Sequence, residues 1–160
     1  CVLRKMKSTA ALILLCVGLL AGCSTTAHLY PIEGPLSKLV PLPVLKARAD
    51  GITGNTGSIT LTMPDGEELR GRWSSIAPQQ VTFSSASGSA SVQGGMARAW
   101  AQVYGAEFSV SNLPGVNRGE AMLTGPKGTV LQVEFFTGSG TANGNGVAKD
   151  NHGNVFKVIF

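Results

Sequence analysis

Few side chains in this sequence are equipped for chemistry: His28 and His152, the cysteines at 1, 16 and 23, and carboxylates gathered near two turns. Asp150 stands two residues before His152, and in a rigid setting such a pair could orient an imidazole as a general base. Both fall, however, in Asp150-Asn151-His152-Gly153, a run of turn formers. Asp150 and Asn151 are expected to bond the local backbone there, with Gly153 supplying the bend. Asp65, Glu67 and Glu68 offer oxygen ligands, but a calcium loop needs more of them at alternating positions, so they read as solvated charges at a hairpin tip. Two histidines far apart in the chain do not make a zinc site. The glycine-rich stretch 138–146 lacks the lysine-serine or lysine-threonine ending of a phosphate loop and joins two strands, so it reads as a connector. No catalytic residue, metal ligand or cofactor site is expected, and the chain reads as a non-enzyme.

Cys23 stands apart. Arg4, Lys5 and Lys7 precede an apolar run from Ala10 to Leu20, and then comes Leu20-Ala21-Gly22-Cys23. The run is eleven residues long, the length of a signal-peptide core and short of the roughly 20 needed to cross a bilayer. Met6-Lys7 sits where a start would give a conventional signal length, so residues 1–5 read as upstream translation. In the lipoprotein signals that this arrangement resembles, small residues let a peptidase grip extended backbone, and the following thiol is the nucleophile that becomes a diacylglyceryl thioether. Order and spacing together resemble the lipobox of bacterial lipoproteins. That resemblance implies cleavage after residue 22, lipid on Cys23, and an acylated amino terminus, three chains in all. Since each buried methylene adds about 0.8 kcal/mol, several chains hold effectively permanently. Ser24 stands where the family's inner-membrane retention signal is usually an aspartate, which points to the outer membrane facing the periplasm.

The formal charge of +4 belongs largely to the leader. Three of the 13 basic residues precede Cys23 and all nine acidic residues follow it, so the remainder is close to neutral. Its basic residues are scattered, which excludes a nucleic-acid surface. With Cys1 and Cys16 in the leader, only Cys23 remains, and a disulfide within the mature chain is excluded.

The elements follow from periodicity. Residues 23–51 are expected to be the lipidated N-terminus and a proline-rich tether, because Pro31, Pro35, Pro41 and Pro43 crowd it. Its apolar cluster, Leu36, Leu39, Val40, Leu42, Val44 and Leu45, either packs on its own domain or meets a partner. Residues 52–160 then form the β domain. Ile59, Leu61 and Met63 alternate with polar residues, as do Leu69, Gly71 and Trp73 across Pro64-Asp65-Gly66, which predicts a hairpin. A second runs from Glu120–Thr124 to Thr129–Phe136 with Leu131, Val133 and Phe135 inward. A third runs from Gly146–Lys149 to Asn154–Phe160, apolar on both faces. Between the first two, Val81–Phe83 and Glu107–Val110 suit strands, Ser84–Ser91 a loop, and Met96, Trp100 and Val103 or Tyr104 the spacing of a short helix. The fold class is all-β: a small antiparallel barrel or sandwich of seven or eight strands with room for one short helix. A barrel in solution is favoured over a membrane-spanning one, because apolar outward faces and aromatic girdles are missing.

Leu29-Tyr30-Pro31, Gly34-Pro35-Leu36, Pro64-Asp65-Gly66, Gly128-Thr129 and Gly144-x-Gly146-Val147-x-x-Asp150-x-x-Gly153 also resemble small uncharacterised envelope lipoproteins of proteobacteria. Relatives of this kind often carry a cysteine pair where Val133 and Ala148 stand here. The resemblance implies a membrane-anchored envelope protein acting as a binding or structural module. The alternative is a periplasmic inhibitor of a cell-wall hydrolase such as lysozyme, by analogy of fold. The expected contact residues for an envelope partner are Leu36, Leu39, Leu42 and Trp100, the apolar positions that strand alternation explains least.

Overall fold

Eight antiparallel strands close into a barrel in this computed structural model, which describes residues 23–76, 95–105, 116–138 and 140–160. They are β1 (Ser24–Glu33), β2 (Leu45–Asp50), β3 (Thr56–Thr62), β4 (Glu68–Ile76), β5 (Val116–Thr124), β6 (Val130–Gly138), β7 (Gly144–Asp150) and β8 (Val155–Ile159). Each strand pairs with its neighbour in sequence and β8 returns to β1, so no sheet edge is left open. The single helix among the described residues, α1 (Gly95–Tyr104), falls where helical spacing predicts it. The expected strands at Val81–Phe83 and Glu107–Val110, the loop Ser84–Ser91 and the predicted signal peptide lie outside the described residues.

The three hairpins read from alternation are all present, with Leu61 opposite Leu69, Leu123 opposite Leu131, and Ala148 opposite Phe156. Val133 and Ala148 are direct partners across β6 and β7, and both are buried.

The segment expected to be a tether is instead a quarter of the barrel wall. β1 pairs with both β2 and β8, so the barrel begins one residue after Cys23 and the domain boundary at 52 is wrong. Two physical details hid these strands. Pro31 sits in β1 beside a shift of register between Pro31 and Glu33, an irregularity of the kind that tolerates a proline in a sheet. β2 does alternate, Leu45, Ala47 and Ala49 against Lys46, Arg48 and Asp50, but its inward residues are mostly small. The other three prolines fall in the β1–β2 connection, 34–44, where a 3-10 turn spans Pro35–Lys38.

That connection divides the apolar cluster. Leu36 packs against the barrel core, held by its backbone N–H donating to Asn154 Oδ1 at 2.8 Å. Leu39, Val40, Leu42 and Val44 are exposed, Val40 at 97%.

The interior is graded from one end to the other. At the end where β1 finishes, Leu29, Leu45, Leu61, Leu69, Leu123 and Leu131 form a buried leucine layer with Met63 and Phe156. Toward the end where β1 begins, inward positions carry Ala27, Ala47, Ala49 and Ala121. An eight-stranded barrel is just wide enough to be filled by side chains or to hold one small ligand, and residue size decides which. Here one end is filled and the other is not. Outward positions of β3 and β4 carry Ser58, Thr60, Glu68, Arg70 and Arg72, the reverse of the apolar outer band of a bilayer-spanning barrel. Among the described residues no helix is long and apolar enough to cross a membrane.

α1 lies outside the barrel against β7 and β8, where Met96, Ala99 and Trp100 bury Val147 and Val155. This is why the third hairpin is apolar on both faces.

Candidate functional site: an apolar cavity beside Cys23

The small inward residues leave a cavity of about 570 Å³ within the barrel, opening at the end where Cys23 stands. Its walls are Ala27, Ala47, Ile59, Ala121 and Val133, with Trp73 and Phe135 contributing aromatic rings whose centroids lie 6.5 Å apart, edge to face. Trp73, expected in the core, is there. Its indole N–H donates to the Asp50 carbonyl at 2.9 Å, which fixes the ring and satisfies its polar atom. The rim carries Thr25, Asn55, Ser75, Asn117, Thr137 and Thr141. Among the described residues no charged side chain lines the cavity. Apolar walls with a few neutral polar groups at the mouth are the ordinary make-up of a small-molecule site, and the volume falls in the usual range of about 300–1,000 Å³.

Cys23 is exposed on this rim, and its carbonyl accepts the Gly51 N–H at 3.3 Å. The chain therefore has no slack between that thiol and the barrel mouth.

The other sequence-derived candidates separate from this site. Leu36, Leu39 and Leu42 lie on the connection at the opposite, filled end, where Leu36 is part of the packing and Leu39 and Leu42 are exposed. Trp100, expected as an exposed contact, is 3% exposed. It stacks on Tyr104, meets Phe136 edge to face, and donates from Nε1 to Glu134 Oε2 at 2.9 Å. The partner-contact reading of Trp100 is corrected: the helix needs its ring to cover β7 and β8.

The filled end is sealed by buried polar groups. Glu67, expected to be a solvated tip charge, is 3% exposed. It accepts hydrogen bonds from the Thr129 hydroxyl and the Lys127 backbone N–H, tying the β3–β4 turn to the β5–β6 turn. The Thr129 bond above all holds the Glu67 carboxyl below its usual range. Asp65 is lowered as well, first by the Glu67 backbone N–H it accepts and then by Lys127. Glu68 is exposed and pairs with Arg70, as a tip charge should.

Asp150 accepts the backbone N–H groups of His152 and Asn154, at 2.9 and 2.8 Å, and the Asn154 side-chain amide at 2.7 Å. Its bond to His152 runs to the backbone, as the turn reading requires, and Gly153 has φ +84°. Asn151 departs from that reading by bonding across to Gly128 and Val130. His28 faces outward on β1 between Lys46 and Ile159. Among the described residues no group of three or more histidine, cysteine or acidic side chains is placed to hold a metal.

The sequence reading missed the cavity. Its signal was present as the confinement of small inward residues, Ala27, Ala47, Ala49 and Ala121, to one end of their strands.

Fold and site together define an up-and-down eight-stranded barrel with an apolar internal cavity. Comparison with protein-family models, characterised proteins and solved structures finds no match to this chain.

Proposed function

We propose that this protein is a lipoprotein of the bacterial envelope, anchored through acyl chains on Cys23, that acts by binding and not by catalysis, with the barrel interior as its binding site. The observation carrying this reading is the position of Cys23 on the rim of the cavity. A lipid attached there sets the cavity mouth against the membrane surface, and the wall has no charged side chain among the described residues to make that approach costly. The absence of Asp at position 24 favours the outer membrane. Labelled palmitate fed to cells should appear in the protein and be lost in Cys23→Ser; label retained in that variant would overturn the anchor.

A second reading rests on the exposed loop. Leu39, Val40 and Leu42 project at the end opposite Cys23, where a lipid-anchored barrel would offer them to a protein partner such as a cell-wall hydrolase. Photo-crosslinkers at Leu39 and Leu42 should capture one defined partner more often than those at Thr60 or Arg70, on the polar outer face. Equal capture at all four positions would remove this reading.

A further inference from the structure

We infer that the barrel cavity takes up a single acyl chain, joined to its head through a neutral ester or amide, with the chain inside and the head at the rim. The inference rests on the binding reading above and names the ligand. Three observations carry it. The wall is hydrocarbon and aromatic, from Ala27 and Ala47 to Val133 and Phe135, so the buried part of the ligand must be apolar. The rim offers hydroxyls and amides, such as Thr25, Asn55, Asn117 and Thr137, which can bond an ester or amide. Among the described lining residues there is no cation to pair with a free carboxylate. The size fits as well. A volume of about 570 Å³ lies inside the range of about 300–1,000 Å³ found for sites that take one small ligand.

The chain has two sources with the same chemistry. One is an acyl group carried by Cys23 itself, which stands at the mouth with its carbonyl tied to Gly51. The other is a lipid drawn from the adjoining membrane.

The test uses the full chain in growing cells fed a palmitic acid that carries a diazirine. After irradiation, the protein is purified and its crosslinks are mapped by mass spectrometry. Adducts on Ala49, Trp73, Val133 or Phe135 are expected, with masses showing a glycerolipid or a chain attached to Cys23. An interior adduct that joins the crosslinked residue to Cys23 identifies the chain as the protein's own, and one that carries a separate glycerolipid identifies a membrane lipid; either source supports the inference. Adducts confined to outward residues such as Thr60 and Gln132, free palmitate as the only interior adduct, or no adduct at all would overturn it. Ala121→Leu should lower interior capture about tenfold, the equivalent of roughly two lost buried methylenes; the wild-type map decides the question even if that variant fails to fold. Lipidated Cys23 with an empty interior would sink this inference and leave the anchor standing. Interior adducts on a protein without lipid at Cys23 would do the opposite.

Discussion

The hydroxyl of Thr129 donates to the buried carboxylate of Glu67, joining two hairpin turns that are 62 residues apart in the chain. This bond, with the Lys127 N–H on the other carboxylate oxygen, closes the filled end of the barrel. Because it favours the ionised form, the Glu67 pKa lies below its ordinary 4.5 in the folded protein.

A group whose folded pKa is depressed contributes stability that is fully present above its unfolded pKa and lost as pH falls through the folded value. Thermal midpoints should therefore hold steady from pH 7 down to about 5 and fall below 4.5. Asp65, also depressed, adds to the same fall. Glu67→Gln should be less stable than wild type at pH 7 and show a shallower acid decline. Parallel pH profiles for the two proteins, followed by circular dichroism, would show that the carboxylate does not do this.

A fragment spanning residues 52–160 lacks β1 and β2, leaving β3 and β8 as unpaired edges and Leu61 and Val158 uncovered. It should aggregate or stay unfolded, while 23–160 melts in one cooperative step with a β spectrum. A cooperative melt from the shorter fragment would contradict the closed barrel.

Ala121 and Leu123 lie two residues apart on β5 and both point inward, one toward the cavity and the other into the leucine layer. Leu123→Ala should cost about 2–5 kcal/mol, since the packed layer cannot collapse around the loss. Ala121→Leu adds its bulk into open space and should change stability by less than about 1 kcal/mol, below the usual cost of overpacking. Chemical denaturation of both variants checks the contrast, and equal losses would mean that the cavity end is as tightly filled as the other.

Trp100 contributes both an apolar ring and an N–H to the contact of α1 with the barrel. Trp100→Ala should cost about 3–5 kcal/mol and expose the helix to protease before the barrel unfolds. Glu134→Gln keeps an acceptor for the indole but loses the 3.1 Å ion pair with Arg118, and should cost less than the Trp100 change. Limited proteolysis followed by mass spectrometry locates the first cut; a first cut within the barrel strands would argue against the helix as the weaker unit.

What the sequence determined by itself was local. Alternation at Ile59-Leu61-Met63 and at Leu131-Val133-Phe135 can be satisfied only by strands with one face buried, and Asp65-Gly66 and Asn151-His152-Gly153 can only turn, so hairpins and their register were legible. The spacing of Met96 and Trp100 likewise marked a helix, and the double-faced third hairpin already implied that something must cover it. Tertiary structure decided what depends on distant neighbours. Pro31 suited a tether until β8 supplied a register shift to accommodate it, and Ala47 and Ala49 looked unremarkable until seven other strands surrounded them. Whether Glu67 is solvated or sealed depends on Thr129, and whether Trp100 is exposed depends on Glu134 and Phe136, none of them near in sequence. The cavity is the clearest case, because a space is made by the absence of side chains on several strands at one level of the barrel. No single strand records that level; only closure of all eight places the alanines together beside Cys23.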